Sequence, residues 1–287
     1  MARIWFGNPY RAGYVAAPLT GLEASGVGYV SATQLQSGGA FVTGSTASHR
    51  EFPMEWSVKS VAELQFLSSY FTGIYGNEYL YWVDPFAENV LPPHWAAPML
   101  TLNDWPSLIS PSRKPNPAPT PINSQGYPML GATYSPSGAV DTVPERQLTL
   151  LIPDDSHLHI GFIGESDGAV IRIEPVLRDG SVEGYRDLEM LSVTSNATFE
   201  QSFSGHDYKL VRIYMTPTRV GGSVTIFAGQ AIYTKTGIPP FQQSFTPGTG
   251  HTGMMFSEAP AVTYVQALAG RRLVSASASF TEVEAWQ

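Results

Sequence analysis

The sequence predicts a mainly β protein, with an N-terminal β unit carrying one α-helix and a C-terminal β-sandwich of jelly-roll type. Three observations carry this reading. Short strand-like runs separated by turn signals recur across residues 145–287, which is the pattern of a sandwich or jelly roll. The chain of 287 residues holds 27 Gly and 23 Pro and is only 14% charged, whereas globular chains carry about 25% charge. One amphipathic helical pattern, at residues 60–72, stands alone among the strands.

In chain order, Ala2–Phe6 reads as a strand closed by Gly7-Asn8-Pro9. Gly28–Thr33 and Ala40–Thr43 read as strands around the turn Ser37-Gly38-Gly39. Arg50–Val58 alternates, with Phe52, Met54, Trp56 and Val58 on one face. Pro53 marks it as an edge strand or a bulge. Ser60 and Glu63 form a capping box for the helix. Val61, Leu64, Leu67 and Phe71 line its apolar face, and Phe66 and Tyr70 widen it. Gly73 and Gly76 are its stop signals. Glu78–Val83 follows as an aromatic strand, with Tyr79, Tyr81 and Val83 on one face and Leu80 and Trp82 on the other. Both faces are large, so this strand is expected to be buried on two sides or to lie at an interface.

These elements make residues 1–105 the first unit. Residues 106–144 are punctuated by proline, PNPAPTPIN most densely, and read as a stiff linker with an extended arm. Residues 145–287 form the second unit. Its strands are expected at Gln147–Ile152, His157–Ile163, Ala169–Leu177, Tyr185–Leu191, Phe199–Phe203, Lys209–Met215, Ser223–Ala228, Gln230–Lys235, Ala261–Gln266 and Arg272–Val283. Turns at Asp167-Gly168, Asp179-Gly180 and Gly221-Gly222 separate several of them.

Composition narrows the function. A net charge of −8 argues against a non-specific nucleic-acid binder, which needs cations to neutralise phosphates. Arg271-Arg272 is an adjacent basic pair, read as a solvated strand start. No cysteine is present, so disulfides and thiolate metal sites are impossible. No run approaches the ~20 apolar residues of a membrane span, and the N-terminus lacks a signal-peptide pattern. Low charge and abundant aromatics suit a chain that buries surface against neighbours.

Candidate chemistry is sparse. His157 and His159 share a strand face behind Asp154 and Asp155, and such a pair could hold zinc if His206 or His251 supplied a third ligand; a polar sheet face is the preferred reading. Glu165 with Asp167, and Glu282 with Glu284, have same-face spacing but the look of solvated strands. Gly248-Thr249-Gly250-His251-Thr252-Gly253 reads as a flexible tip or interface loop. No nucleophile, phosphate-loop or dinucleotide motif is present, and no catalytic residue, cofactor or metal is assigned. Tyr185, Tyr208, Tyr214, Tyr233 and Tyr264 are candidate glycan contacts, because sugars stack on exposed aromatic faces.

The strings FGNPYRAGYVAAPLTGLEASGVGYV, ELQFLSSYFTGIYG, YLYWVDPF and NVLPPHWAAP resemble the minor tail or distal tail proteins of long-tailed, siphovirus-type bacteriophages of actinobacterial hosts. The resemblance covers the first 105 residues; over the second unit it is architectural. It implies a structural role in the virion, at the tail tip. Such proteins form a homo-oligomeric ring, typically six-fold, that joins the tail tube to the host-recognition apparatus. Their second unit is a galectin-like or jelly-roll sandwich. Implied partners are copies of the chain itself, the tail tube protein, the tape measure protein, the tail hub and other minor tail proteins. Phe66, Tyr70, Tyr79, Tyr81 and Trp82 are the candidate subunit contacts. Two alternatives stand beside this role: adhesion to host surface glycan, and hydrolysis of cell-wall glycan.

Overall fold

The structure, a computed structural model, describes residues 3–18, 25–27, 30–34, 40–44, 49–58, 61–84, 87–96, 112–113, 131–136, 148–191, 199–240, 246, 248–258, 261–268 and 271–283. Strands β1 (Arg3–Gly7), β2 (Ala12–Ala16), β3 (Ser25–Val27), β4 (Val30–Gln34), β5 (Ala40–Gly44) and β6 (His49–Val58) precede helix α1 (Val61–Phe71). Then come β7 (Tyr81–Val83), the short helix α2 (Pro93–Ala96), β8 (Ser112–Arg113), β9 (Ala132–Tyr134), β10 (Leu148–Leu151), β11 (His157–Asp167) and β12 (Ala169–Leu177). The chain continues with β13 (Arg186–Leu188), β14 (Gln201–Ser204), β15 (Tyr208–Pro217), β16 (Ser223–Thr234), β17 (Met254–Phe256), β18 (Ala261–Leu268) and β19 (Arg271–Glu282). The protein is mainly β, as its sequence predicts, and it divides into two compact units.

One unit comprises Met1–Arg3, Val15–Tyr79 and Met254–Glu284. Its principal sheet has the order β17-β19-β6-β3, and β18 continues the edge begun by β17 along β19. In β6, Phe52, Met54 and Trp56 are buried while Pro53 and Glu55 are exposed, the expected alternation. Pro53 is opposite Ser279 of β19. Arg50 and Glu282 close the β6–β19 pair with two parallel bonds of 2.5 and 2.6 Å. Helix α1 ends as the glycines require. Gly73 N–H donates to Tyr70 O and Ile74 N–H to Ser69 O, with Gly73 at φ +73°. This is the Schellman closure, in which a left-handed residue lets the last carbonyls find donors. Ser60, the expected cap, lies outside the described residues.

The other unit comprises Ile4–Tyr14, Leu80–Gly253 and Ala285–Gln287. Its two main sheets have the orders β10-β15-β12-β13 and β14-β11-β16-β9-β8. Strand pairs β9/β16, β10/β15, β11/β14 and β12/β13 are all antiparallel neighbours. They are the pairs of one long ribbon running out through β9–β12 and back through β13–β16. Rolling that ribbon across two layers adds the contacts β11/β16 and β12/β15, and this is the jelly roll. Its core holds Leu158, Ile160, Phe162, Ile171, Ile173, Phe203 and Ile213. Buried Tyr233 on β16 donates its hydroxyl to Leu151 O on β10, tying one layer to the other.

Two groupings differ from the sequence reading. The chain after residue 253 is not part of the sandwich: β19 pairs with β6 from Thr281↔Glu51 to Val274↔Val58, a pairing over two hundred residues apart. Conversely, residues 80–105 do not all close the first unit. Val90 N–H donates to Ala231 O, and Trp95 packs on Phe162 at 6.0 Å between ring centroids, so this exit is built into the jelly roll. The proline-rich segment also contributes: β9 pairs with the edge of β16 and β8 with β9. Strand β16 runs unbroken through Gly229, where two strands were expected. A side chain there would meet Trp95 O and the Phe162 ring at 2.6 Å, so this glycine serves close approach.

Candidate functional site

The outer face of the jelly-roll sheet β10-β15-β12-β13 gathers a group of polar and aromatic side chains. Alternation along β12 sends Ile171 and Ile173 into the core and Arg172 and Glu174 to the opposite face. The register places Tyr214 of β15 opposite Arg172, Arg212 opposite Glu174, and Asp187 of β13 opposite Arg172. Arg172 binds Asp187 with two bonds, 2.5 and 3.0 Å. Arg212 donates to Glu174 at 2.5 Å. The Arg172 guanidinium also lies over the Tyr185 ring, 5.5 Å from its centroid. Tyr214 meets Tyr185 edge to face at 6.3 Å. Tyr185 remains 56% exposed, while Tyr214 is 2% exposed. Burial, then the neighbouring Tyr185, pushes the Tyr214 hydroxyl up to about 12.

Of the five candidate tyrosines, the structure brings together these two. Tyr208 donates to Glu183 and accepts from Arg186 in a separate network, bonds of 2.8 and 2.9 Å. The Tyr208 bond first, and Arg186 second, hold the Glu183 carboxyl below the usual range. Tyr233 is buried in the core and offers no face to a ligand. The Tyr264 side chain lies outside the described residues.

His159 is fully buried, with Nδ1 at 2.7 Å from Ser202 Oγ and Nε2 at 2.8 Å from Thr234 Oγ1. Burial pulls its pKa down, and His157 adds to the effect. His251 is also buried; its Nε2 lies 3.2 Å from Trp82 N and 3.0 Å from Trp82 O. Among the described residues, no group of three His, Asp or Glu stands together as metal ligands. Asp167 pairs with Arg219, and Glu282 is taken by Arg50; Glu284 lies outside the described residues. The glycine-rich loop is not a free tip. Thr249 N–H donates to Asn89 O and Gly250 N–H to Leu91 O, and a side chain at Gly250 would stand 1.8 Å from Val90 O.

The helix-bearing unit presents an apolar groove between α1 and its sheet, lined by Leu64, Leu67, Phe71, Phe256, Val262 and Phe280 among others. Phe71 is 49% exposed, and Ile74, Met255 and Val262 are exposed large hydrophobics of the same unit. Of the expected subunit contacts, Tyr70 and Tyr81 are buried inside the chain. Tyr70 sits in a ring cluster with Phe66 and Tyr75, at 5.1 and 5.0 Å. Phe66, Tyr79 and Trp82 are half-buried, and Trp82 packs against His251 at 5.4 Å. Tyr70 and Tyr81 are buried within the chain, while Phe71, next to Tyr70 in sequence, and Ile74 are exposed.

Sequence reasoning missed Asn89, Trp95 and the Arg172–Asp187 pair. The IRIE run of β12 shows that Arg172 and Glu174 share a face, but their partners depend on strand register, which no local pattern encodes.

No family model matches the sequence, and no curated protein matches it. Solved structures similar to parts of the chain include accessory secretory proteins 1, 2 and 3 of Streptococcus pneumoniae (10% identity, 53% of this chain and 99% of that one, TM-score 0.27). A tandem CBM22 domain of Paenibacillus barcinonensis Xyn10C aligns over 59% of this chain and 54% of that one, at 10% identity and TM-score 0.27. The VP2 subviral particle of infectious bursal disease virus aligns over 98% of this chain and 76% of that one, at 11% identity and TM-score 0.24. Likenesses this low support neither a common fold nor a common function.

Proposed function

We propose that this chain is a structural component of a bacteriophage tail tip, a distal or minor tail protein that forms a homo-oligomeric ring. The ring joins the tail tube to the host-recognition apparatus, with the tape measure protein and tail hub as neighbours. The observation that carries the reading is the open apolar groove beside α1, with Phe71 at its rim 49% exposed. Exposed large apolar groups gathered at a groove mark an interaction surface, and a second copy of the chain is the proposed occupant. The resemblance of the surrounding strings to tail proteins supplies the setting.

Light-scattering mass of the purified protein tests the assembly. The wild type is expected above the mass of one 287-residue chain, and Phe71→Asp is expected to lower it while the melting temperature holds. A monomeric wild type at all accessible concentrations would overturn the ring. Density for the chain at the tail tip in an electron-microscopy map of a virion tests the location, and density elsewhere would refute it.

A further inference from the structure

We infer that the outer face of the β13–β12–β15 layer is a carbohydrate-binding surface for a chain of neutral pyranose units, with Tyr185 as the stacking platform. The inference stands apart from ring assembly, because it rests on the jelly roll alone.

Tyr185 combines exposure with restraint. More than half of the residue is open to solvent, yet Arg172 covers one side of the ring and Tyr214 abuts it edge to face. An aromatic side chain ordered in advance loses little entropy when a ligand stacks on it, so a larger share of the contact energy appears as affinity. Arg172 itself is fixed by its two bonds to Asp187 on the neighbouring strand. Tyr185 stands one residue before β13, and its contacts with Arg172 and Tyr214 hold the ring against the sheet.

The polar groups around the ring match a polyhydroxyl ligand. Asp187 accepts hydrogen bonds and keeps 45% of its side chain exposed; Arg212 donates and keeps 35% exposed. Asp187 lies on β13 and Arg212 on β15, with β12 between them, so acceptor and donor stand two strand spacings apart, on the order of 10 Å, and can meet separate sugar units of one chain. A hydroxyl both donates and accepts, and so can engage either group.

Charge selects the sugar class. Arg172 and Arg212 are matched by Asp187 and Glu174, so this cluster of four side chains carries no net charge. It offers no field to attract an acidic glycan, whereas a neutral glycan needs none. Arg172 is a positioning residue here; Tyr185, Asp187 and Arg212 are the ligand contacts.

The test uses the full chain and a glycan array of neutral hexose and N-acetylhexosamine oligomers with acidic uronate oligomers alongside, followed by calorimetric titration of any hit. Wild type is expected to bind at least one neutral oligomer and no acidic one preferentially. Tyr185→Ala is expected to weaken binding by roughly tenfold or more, while Tyr185→Phe retains it. Tyr10→Ala serves as the control, because Tyr10 is 67% exposed in the turn between β1 and β2; it is expected to bind as the wild type does. Arg172→Lys, which keeps the charge and loses the bidentate geometry, is expected to bind more weakly with an unchanged melting temperature. Absence of any neutral hit, binding unaltered by Tyr185→Ala, or preference for acidic oligomers would overturn the proposal. So would a fall in oligomeric mass on Tyr185→Ala without glycan binding, which would make the face a subunit contact.

Discussion

Asn89 should be the most sensitive polar position in the jelly roll. It is fully buried, and its side-chain amide makes four hydrogen bonds to backbone. Nδ2 donates to Gly229 O and Thr246 O at 3.0 and 2.9 Å. Oδ1 accepts from Leu91 N–H and Ala231 N–H at 3.2 and 3.1 Å. These bonds tie residues 89–91 to β16 and to Thr246. A neutral hydrogen bond nets about 1 kcal/mol, and a buried group left without its partner costs about 1–3 kcal/mol. Asn89→Ala deprives four backbone groups at once, so the expected loss is about 4 kcal/mol. For a unit of this size each kcal/mol moves the melting temperature by about 2–4 °C, giving a fall on the order of 10 °C. Urea and thermal unfolding followed by tryptophan fluorescence would measure it. Asn89→Asp separates this lacing from simple side-chain volume. It keeps the shape but turns a carboxylate toward two carbonyls, so it should be as damaging as alanine at pH 7 and recover on acidification as the carboxyl protonates. A loss below about 1 kcal/mol for Asn89→Ala would refute the idea that these four bonds hold the segment.

Two further outcomes follow from the same packing, beside the oligomer and glycan tests above. Gly250→Ala would drive a methyl group against Val90 O, 1.8 Å away in the present geometry, and is expected to cost about 1–3 kcal/mol; an unchanged urea midpoint would show that the loop is not packed as described. His159 is buried with its pKa pulled down, so the unfolded chain binds a proton at pH values where the folded chain does not. Its contribution to stability is present above its ordinary value of about 6.5 and is lost as pH falls below it, at no more than about 1.4 kcal/mol per pH unit. Melting temperatures from pH 8 to pH 5.5 should fall more steeply in the wild type than in His159→Gln; parallel curves would exclude His159 as the cause.

Legibility followed the range of the interactions involved. Strand β12 matches its expected bounds, Ala169–Leu177, because alternation and the flanking glycines are local; Gly168 and Gly180 both adopt positive φ. Helix α1 and its stop at Gly73 were readable for the same reason. Gly229 misled, because a glycine needed for close approach looks identical in sequence to one that ends a strand. Tyr185 and Tyr214 were visible as residue types, but their meeting depended on β15 lying beside β12, and Tyr233 could not be separated from them without knowing which face each occupies.

Sequence alone determined the β class, helix α1 with its glycine exit, the alternation that sorts inward from outward residues, and the low charge. These are properties of short stretches, set by side-chain period and backbone sterics. Tertiary structure decided which strands pair, and hence that β19 returns to β6, that the proline-rich segment lends β9 to the jelly roll, and that Val90 and Trp95 of the exit pack inside it. It also decided the composition of the outer face, where Arg172, Asp187 and Tyr214 converge from three strands with Tyr185 from the segment before β13. Pairing and register are won by burial summed over whole sheets, and that sum has no signature in any single window of the chain.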